Sequence, residues 1–552
     1  MYVDSSKSHG KYTRSLLREN YREEGKVKHR TIANLSHCSV EEIDAIKLAL
    51  KHKKDLTKLV SLSKDITLHQ GNSVGAVLLI HDIARQLGIH KALGPTREGK
   101  LALWQIIARV VDQGSRLSAV RLAGSHAACD ILGVNTFNED DLYKNLDWLS
   151  QKQQVIEDRL FDNTYQDKKP GLFLYDVTSS YFEGTCNELS AFGYNRDGKK
   201  GKRQIVIGLL CDEYGKPVSI EVFKGNTNDT KTFYSQIKKV VKRFGNKEIT
   251  FVGDRGMIKG PQIKEINKNL FHYITAITKK QIDTLLKQGI IQLELFDEEL
   301  AEIEDEQGVR FILRRNPTRA EEIRQSRDSK LLSLQHLTIK QNKYLSEHPR
   351  AQVTTALKKI EERAAKLKIS KWIIATAKER EITIQVDNNL LAEESKIDGC
   401  YVLTTDLKKE VNKETVHARY KDLAKVEWAF RTSKTVELEL RPIHVRLADR
   451  TRGHALIVML AYRIVQELAN RWKNIELTVP EGINELSQVC AIEMRVNNKP
   501  FANRIPHPRA SIKKLLKDAG VRLPEIFSAS AKKVATRKKL VDRRKKVRQS
   551  SG

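Results

Sequence analysis

The alternation of apolar and polar residues changes period along the chain. "YTRSLLRENYREEGKVKHRTIANLS", from Tyr12, alternates on both sides of a Glu-Glu-Gly-Lys turn and predicts a basic β-hairpin. "SVEEIDAIKLALKH" follows with helical spacing. Ser39 is its N-cap, and Glu42, three residues on, completes a capping box. These elements make residues 1–65 a small basic module. From 74 to 168 apolar residues recur at helical spacing in "VGAVLLIHDIARQLG" and "LALWQIIARVVDQG", and "NEDDLYKNLDWL" opens with a cap. Residues 66–170 therefore read as mainly helical, with joins punctuated by Gly and Pro as in "LGPTREGK".

At residue 171 the pattern becomes strand-like. "GLFLYDVT", "RQIVIGLL" and "VSIEVFKG" are strands, the last two joined by the turn "DEYGKP". "KTFYSQIKKVVKRFG" is helical, "EITFVGD" a strand, "PQIKEINKN" a short helix and "FHYITAIT" a strand. The order β-β-β-α-β-α-β predicts an α/β domain, a mixed five-stranded sheet with helices packed on it. Residues 280–400 interrupt that alternation. Val353, Leu357, Ile360, Ala364 and Leu367 form a helical stripe there, and "EITIQV" alternates as a strand. Helical spacing returns at 410–435 and 447–470. Residues 171–279 and 401–475 are thus one domain split by an insertion domain at 280–400. A C-terminal region, 476–552, ends in the basic tail "AKKVATRKKLVDRRKKVRQSSG", which either binds DNA backbone or is simply solvated.

Composition narrows what such a chain does. Its 552 residues exceed one hydrophobic core and imply about two to four domains. A hydrophobic share of 40% excludes a disordered chain. No apolar run approaches the ~20 residues of a membrane span. "MYVDSSKSHGKYTRS" lacks the apolar segment of a signal peptide, so a cytoplasmic protein is expected. Six cysteines without a C-x-x-C pair argue against a zinc site or a disulfide framework. Lys and Arg number 98 against 69 Asp and Glu, a formal charge of +29. That excess favours a polyanionic partner, DNA or RNA first, although a merely basic soluble protein shares it.

Two carboxylates stand in matching contexts. Asp176 is expected to end the strand "LFLYD" and Asp254 the strand "ITFVGD". Alone, each is most simply a turn cap. The first and fourth strands of this order can lie side by side in a sheet, however, which would bring both acids to neighbouring tips. Paired carboxylates are costly without a neutralising cation, and a hard ion such as Mg²⁺ takes carboxylates, waters and phosphate oxygens together. A third acid lies in "YKDLAKVEWAFRTSK", read as one helix with Tyr420, Glu427 and Lys434 at seven-residue intervals on one face. Arg431 is one turn beyond Glu427, and Trp428 and Phe430 are expected to point toward a core. The plain alternative is a surface row of ion pairs.

"YDVTSSYFEG", "FKGNTNDTKTF", "VGDRGM" and "YKDLAKVEWAFRTSK" stand in an order that resembles DDE transposases of the insertion-sequence-4 superfamily, over roughly residues 170–470. That resemblance implies an RNase H-like catalytic domain with an inserted segment before the Glu. It implies Asp176, Asp254 and Glu427 as a triad holding two Mg²⁺ ions, with Mn²⁺ a substitute, for phosphoryl transfer. The family's helix signature has Tyr, Arg, Glu and Lys; Tyr420, Glu427 and Lys434 match it, but Leu423 occupies the arginine position and leaves Arg431 as the candidate replacement. Tyr420 and Lys434 would then hold terminal phosphates. Arg255 either touches phosphate or pairs with a site carboxylate. Trp372 is either a stacker for a displaced base or a core tryptophan. "FKGNTNDTKTF" is either a loop beside the site or the turn before the next helix, capped by Asp229 or Thr230. Glu183 is either a supporting group or a turn residue. The implied partners are double-stranded DNA, as element ends and target, and a second copy of the chain in a synaptic complex, in a bacterial cytoplasm at the nucleoid and away from membrane. The region before residue 171 would recognise terminal inverted repeats for cut-and-paste transfer. Two other readings stand beside this one: a domesticated or inactive DNA-binding copy, and an RNase H-like nuclease without strand transfer.

Overall fold

The computed structural model describes residues 1–8, 12–53, 66–184, 186–243, 249–269, 271–435, 438–441, 443–496, 499–527 and 534–536. The chain divides into two units. One comprises Met1–Leu79, Ala123–Gly133 and Glu481–Lys533, and the other Ile80–Leu122 and Val134–Pro480. Among the described residues no helix is long and apolar enough to cross a membrane. Of the basic tail only residues 534–536 fall within the described part.

In the first unit the expected hairpin forms, with β2 (Tyr12–Glu23) antiparallel to β3 (Lys26–Asn34). Glu24 and Gly25 turn the chain at φ 51° and 75°, the left-handed region that glycine enters freely. A strand not foreseen, β1 (Tyr2–Ser8), pairs with the other edge of β2. Helix α1 (Val40–Lys51) starts at the Ser39 cap, and Glu42 closes the capping box. A second sheet joins β4 (Ile66–Ser73), β15 (Cys490–Val496) and β16 (Lys499–Arg504) in the order β16-β15-β4. The first eight residues of the region expected to be mainly helical thus form a strand. "ITLHQGNS" carries little apolar alternation, and its partner strand lies at the far end of the chain, so no local pattern announces the pairing.

The second unit is built on one long buried helix and one sheet. Helix α10 (Ala448–Arg471) is buried on nearly all sides and packs on α2 (Arg97–Val111) and α3 (Glu139–Thr164). Asn138 caps α3, with Asp141 completing the box. The crossing of α3 and α10 is close enough that a Cβ on Gly453 would lie 2.3 Å from the Leu146 carbonyl oxygen. Backbone cannot yield as a side-chain tip does. Gly453→Ala is accordingly expected to lower stability by about 1–3 kcal/mol, read as a shift in the urea midpoint at unchanged slope.

The sheet has eight strands, against the five expected. Its order is β10 (Ala301–Glu304), β11 (Arg310–Arg315), β14 (Cys400–Thr405), β9 (His272–Ala276), β8 (Thr250–Gly253), β5 (Leu172–Tyr181), β6 (Gln204–Asp212) and β7 (Pro217–Lys224). Strands β5 to β9 are the five anticipated, with α4 (Asp229–Arg243) and α5 (Gly260–Lys268) between them. β8 lies parallel between β5 and β9. The added strands come from residues 301–405, where β14 pairs antiparallel with β9. An edge such as that of β9 presents unpaired backbone groups, and β14, where the chain returns from the interrupting segment, satisfies them. The remainder of that segment has its own core, in which α6 (Pro317–Glu347) and α7 (Val353–Leu367) pack on the hairpin β12 (Ile373–Lys378) and β13 (Glu381–Val386). The stripe anticipated on α7 supplies Ile360 and Ala364 to it.

Beneath β5 and β8 the rings of Tyr175, Phe233, Phe251 and Phe271 pack in sequence, with neighbouring centroids 5.6, 5.6 and 5.9 Å apart. Such pairs add specific geometry to the burial of large apolar area. They hold the two strands that carry the acids.

Candidate active site

The parallel pairing of β5 with β8 ends at Tyr175 opposite Gly253. Asp176 and Asp254 are the next residues on each chain, so the register sets them at adjacent positions. The expectation that Asp176 ends its strand is corrected: β5 runs on to Tyr181, paired throughout with β6. What stops at Asp176 is the pairing on the β8 side. "TSS" resembles a turn in sequence, yet these small polar residues are buried and partly bonded from outside the strand. Thr178 Oγ1 accepts a hydrogen bond from Lys434 Nζ at 2.5 Å, and Ser179 Oγ one from the backbone N–H of Arg196 at 2.9 Å.

The helix expected across "YKDLAKVEWAFRTSK" is two helices, α8 (Lys413–Lys421) and α9 (Leu423–Lys434), joined at Asp422. Tyr420 and Glu427 nonetheless face one cavity of about 1140 Å³, with Asp176, Asp254, Arg255 and Leu423. Arg196, Lys279, Arg319 and Lys421 also line it. The cavity thus brings together the three acids, Tyr420 and Arg255. It does not include Lys434, Arg431 or Trp372.

Lys434 ends α9, seven residues beyond Glu427, and is held from outside the cavity. Its Nζ pairs with Asp197 Oδ1 at 2.8 Å. Asp197, its side chain only 1% exposed, also receives Arg441 Nη1 at 2.7 Å and the N–H of Tyr181 at 3.0 Å. Arg431 is exposed, its guanidinium 5.8 Å above the Trp428 ring, and it leaves Leu423 to line the cavity alone at the arginine position. Trp428 is 60% exposed, against the core position expected for it, whereas Phe430 is buried as expected. The second face of that helix is solvent, so two aromatics two residues apart part company. Trp372 lies in the core of α6, α7 and their hairpin, 1% exposed, which decides for the core tryptophan over the stacker.

Helix α4 begins at Asp229, which therefore stands in its first turn and not at the cap position assigned to it or to Thr230. Its carboxylate takes both bonds of Arg196 Nη2, at 2.6 and 2.7 Å. The "GNTND" loop lines a separate cavity of about 440 Å³ that Arg196 also borders. Glu183 pairs at the surface with Lys202 at 3.0 Å. Arg196 and Asp197 were not legible in the sequence, because "YNRDGKK" has the composition of any solvated turn.

Electrostatics follow from this placement. Burial first, then the charges of Glu427 and Asp254, push the Asp176 carboxyl up to about 7, against the backbone N–H of Val177 and the more distant Arg196, which lower it. Burial and the facing Asp254 raise the Tyr420 phenol. Burial lowers the Lys434 ammonium, opposed by its pairing with Asp197. Among the described residues no three acidic, imidazole or thiol side chains already converge as a metal cluster, so the acids share a cavity and not a single point. Their chemistry suits a hard divalent cation all the same: three carboxylates, one strained by its neighbours, with oxygen donors only.

A family model described as the transposase DDE domain matches residues 167–464, and one for the N-terminal domain of IS1634 family transposases matches residues 3–61. No curated protein matches significantly. Among solved structures, a cryo-EM structure of the piggyBac transposase synaptic complex with hairpin DNA is similar at 10% identity and a TM-score of 0.34, covering 76% of this chain and 69% of that one.

Proposed function

Because the chain belongs to the DDE-domain transposases, we propose that it is a metal-dependent cut-and-paste enzyme of the insertion-sequence-4 superfamily, acting in the bacterial cytoplasm on the ends of its own element. The observation that carries this reading is the β5–β8 register, which with α9 turns Asp176, Asp254 and Glu427 toward one cavity. Strands β5 to β9 with α4, α5 and α9 form the RNase H-like part, and the interrupting segment extends its sheet. The region before residue 171 recognises the terminal inverted repeats, and two copies bring the element's ends together.

Asp176, Asp254 and Glu427 are the residues that would hold two Mg²⁺ ions at this cavity. When bound, these ions polarise phosphoryl oxygens and acidify the attacking water or DNA 3′-hydroxyl. The chain's own residues do the rest. Arg255 and Lys421 at the cavity wall offer charge to the phosphates beside the scissile bond, and Tyr420 offers its hydroxyl. Asp197 pairs with the Lys434 ammonium behind β5. No protein nucleophile is required, so no covalent protein–DNA species forms.

The test uses the full chain, duplex DNA bearing the repeats that flank its coding sequence, and Mg²⁺ or Mn²⁺. Cleavage at the element ends followed by joining to target is expected, with Glu427→Gln binding the DNA but cutting at least about 10²-fold more slowly. Binding without cleavage by the wild type would instead identify an inactive copy. Cleavage without joining would identify a nuclease.

A further inference from the structure

The loop between β5 and β6 carries residues that the acidic cavity does not use. Phe192 and Tyr194 are 64% and 80% exposed, although rings of this size ordinarily bury much of their area. A guanidinium lies over each: Arg203 at 5.5 Å from the Phe192 centroid and Arg196 at 5.4 Å from that of Tyr194. Lys199 and Lys200 stand in the same loop. Its acid between Phe192 and Arg203, Asp197, is turned inward to Lys434 and Arg441, so the outer surface is cationic and aromatic together.

The rings are presented by rigid backbone. A Cβ on Gly193 would lie 2.2 Å from the Gly225 carbonyl oxygen, which only glycine permits. The Gln204 side-chain amide donates to the carbonyls of Tyr194 and Gly225 at 2.9 and 3.0 Å, and Ala191 bridges to Gln204. A preformed platform loses little conformational entropy when a ligand settles on it. Its position is also defined: Arg196 reaches into the cavity of the three acids, while Tyr194 borders the neighbouring one.

Taking DNA as the substrate, as in the reading above, we propose that Phe192 and Tyr194 are a stacking platform for unpaired DNA bases beside the acidic cavity, with Lys199, Lys200 and Arg203 on the strand's phosphates. Flat rings and fixed cations in alternation match a single strand, whose bases offer free faces and whose backbone offers charge. A paired duplex stacks its bases on one another and has no face to give. The platform therefore engages DNA where the duplex is opened next to the cut, and it serves whichever base arrives because every base has a π-face.

The test measures anisotropy of a labelled oligothymidylate and of a fully paired duplex of equal length with the full chain. Tyr194→Ala is expected to weaken binding of the single strand about tenfold, and Phe192→Ala with Tyr194→Ala further, as base–ring stacking of about 1–3 kcal/mol per base requires. Duplex affinity should stay within about twofold. Tyr194→Trp should retain single-strand affinity and Tyr194→Leu should lose it. Equal losses on both DNA forms, restoration by leucine, or no loss would each overturn the platform. A wild type that cuts duplex ends while Tyr194→Ala binds oligothymidylate normally removes the platform alone. A wild type that binds neither DNA removes the proposed function with it.

Discussion

Asp176→Asn is expected to reduce cleavage of element-end DNA by a factor on the order of 10³ or more while leaving DNA binding intact. Asp176 is the acid the other two lean on: its register places it against Asp254, and both Asp254 and Glu427 act on its charge. The same substitution should stabilise the metal-free protein in a pH-dependent way. The carboxyl's folded-state value, about 7, stands above its ordinary 3.8, so the folded chain holds a proton that the unfolded chain releases. The contribution to stability is full below about pH 4 and is lost as the pH rises toward 7. Above that the ionised group costs on the order of 4 kcal/mol, at 1.36 kcal/mol per unit. Asparagine keeps the bond from the Val177 N–H, made now to Oδ1 at 2.7 Å, and carries no charge. With EDTA present, the variant should therefore melt above the wild type at pH 8 and alongside it at pH 4. Added Mg²⁺ should raise the wild type's Tm and leave the variant's unmoved. A variant that still cuts DNA, or that melts below the wild type at pH 8, would sink this account.

The second large effect concerns Asp197. Asp197→Ala should cost about 3 kcal/mol, the lower end of what removing one partner from a buried ion pair costs. Lys434, its side chain only 9% exposed, is left with the Thr178 hydroxyl alone, while the Arg441 side chain, about a third exposed, can turn to water. The unfolding midpoint in urea reads the loss. Lys434→Met in the Asp197→Ala background should recover part of it, since an apolar side chain tolerates that burial where an unpaired ammonium does not. A single variant within about 1 kcal/mol of wild type would show the pair to be no more than a surface contact. Because the bonds to Asp197 also tether the β5–β6 loop, the same variant should be cut faster there by protease.

How much of this was legible depended on distance along the chain. Strands β5 to β9 announced themselves because each is buried or half-buried and carries its own period. Asp176 and Asp254 could be paired because two adjacent parallel strands lie within one βαβ-like run. Glu427 needed its helix and the surrounding motif. The β4–β15 pairing was invisible, since its partners are separated by nearly the whole chain and neither has a marked apolar face. The three extra strands of the sheet were missed for a different reason: "RFILRR" and "CYVLTT" are short apolar runs whose destination is an edge formed by β9, and a sequence does not state which edges remain open. Asp197 gave no signal at all. An aspartate in a lysine-rich turn becomes a buried counter-ion only when Lys434 and Arg441 arrive from the far side of the domain. Trp428 shows the converse, a large ring left in solvent where helical position alone suggested a core.

Strands β11 and β14 are neighbours, with Arg315 opposite Cys400, and the N–H of Asn316 bonds the carbonyl of Gly399 at 2.9 Å. Everything between them, α6, α7 and the β12–β13 hairpin, leaves and re-enters the sheet through one closed doorway. A lobe tethered in that way behaves as an interchangeable cassette. It can grow, shrink or be replaced over evolutionary time while the strands on either side keep their register, because the stitch at its neck is already tied without it. The acids on β5 and just past β8 meet that lobe only at its neck, where Asn316, Gly399 and the first turns of α6, with Arg319 and Ile323, line the cavity and must keep their places.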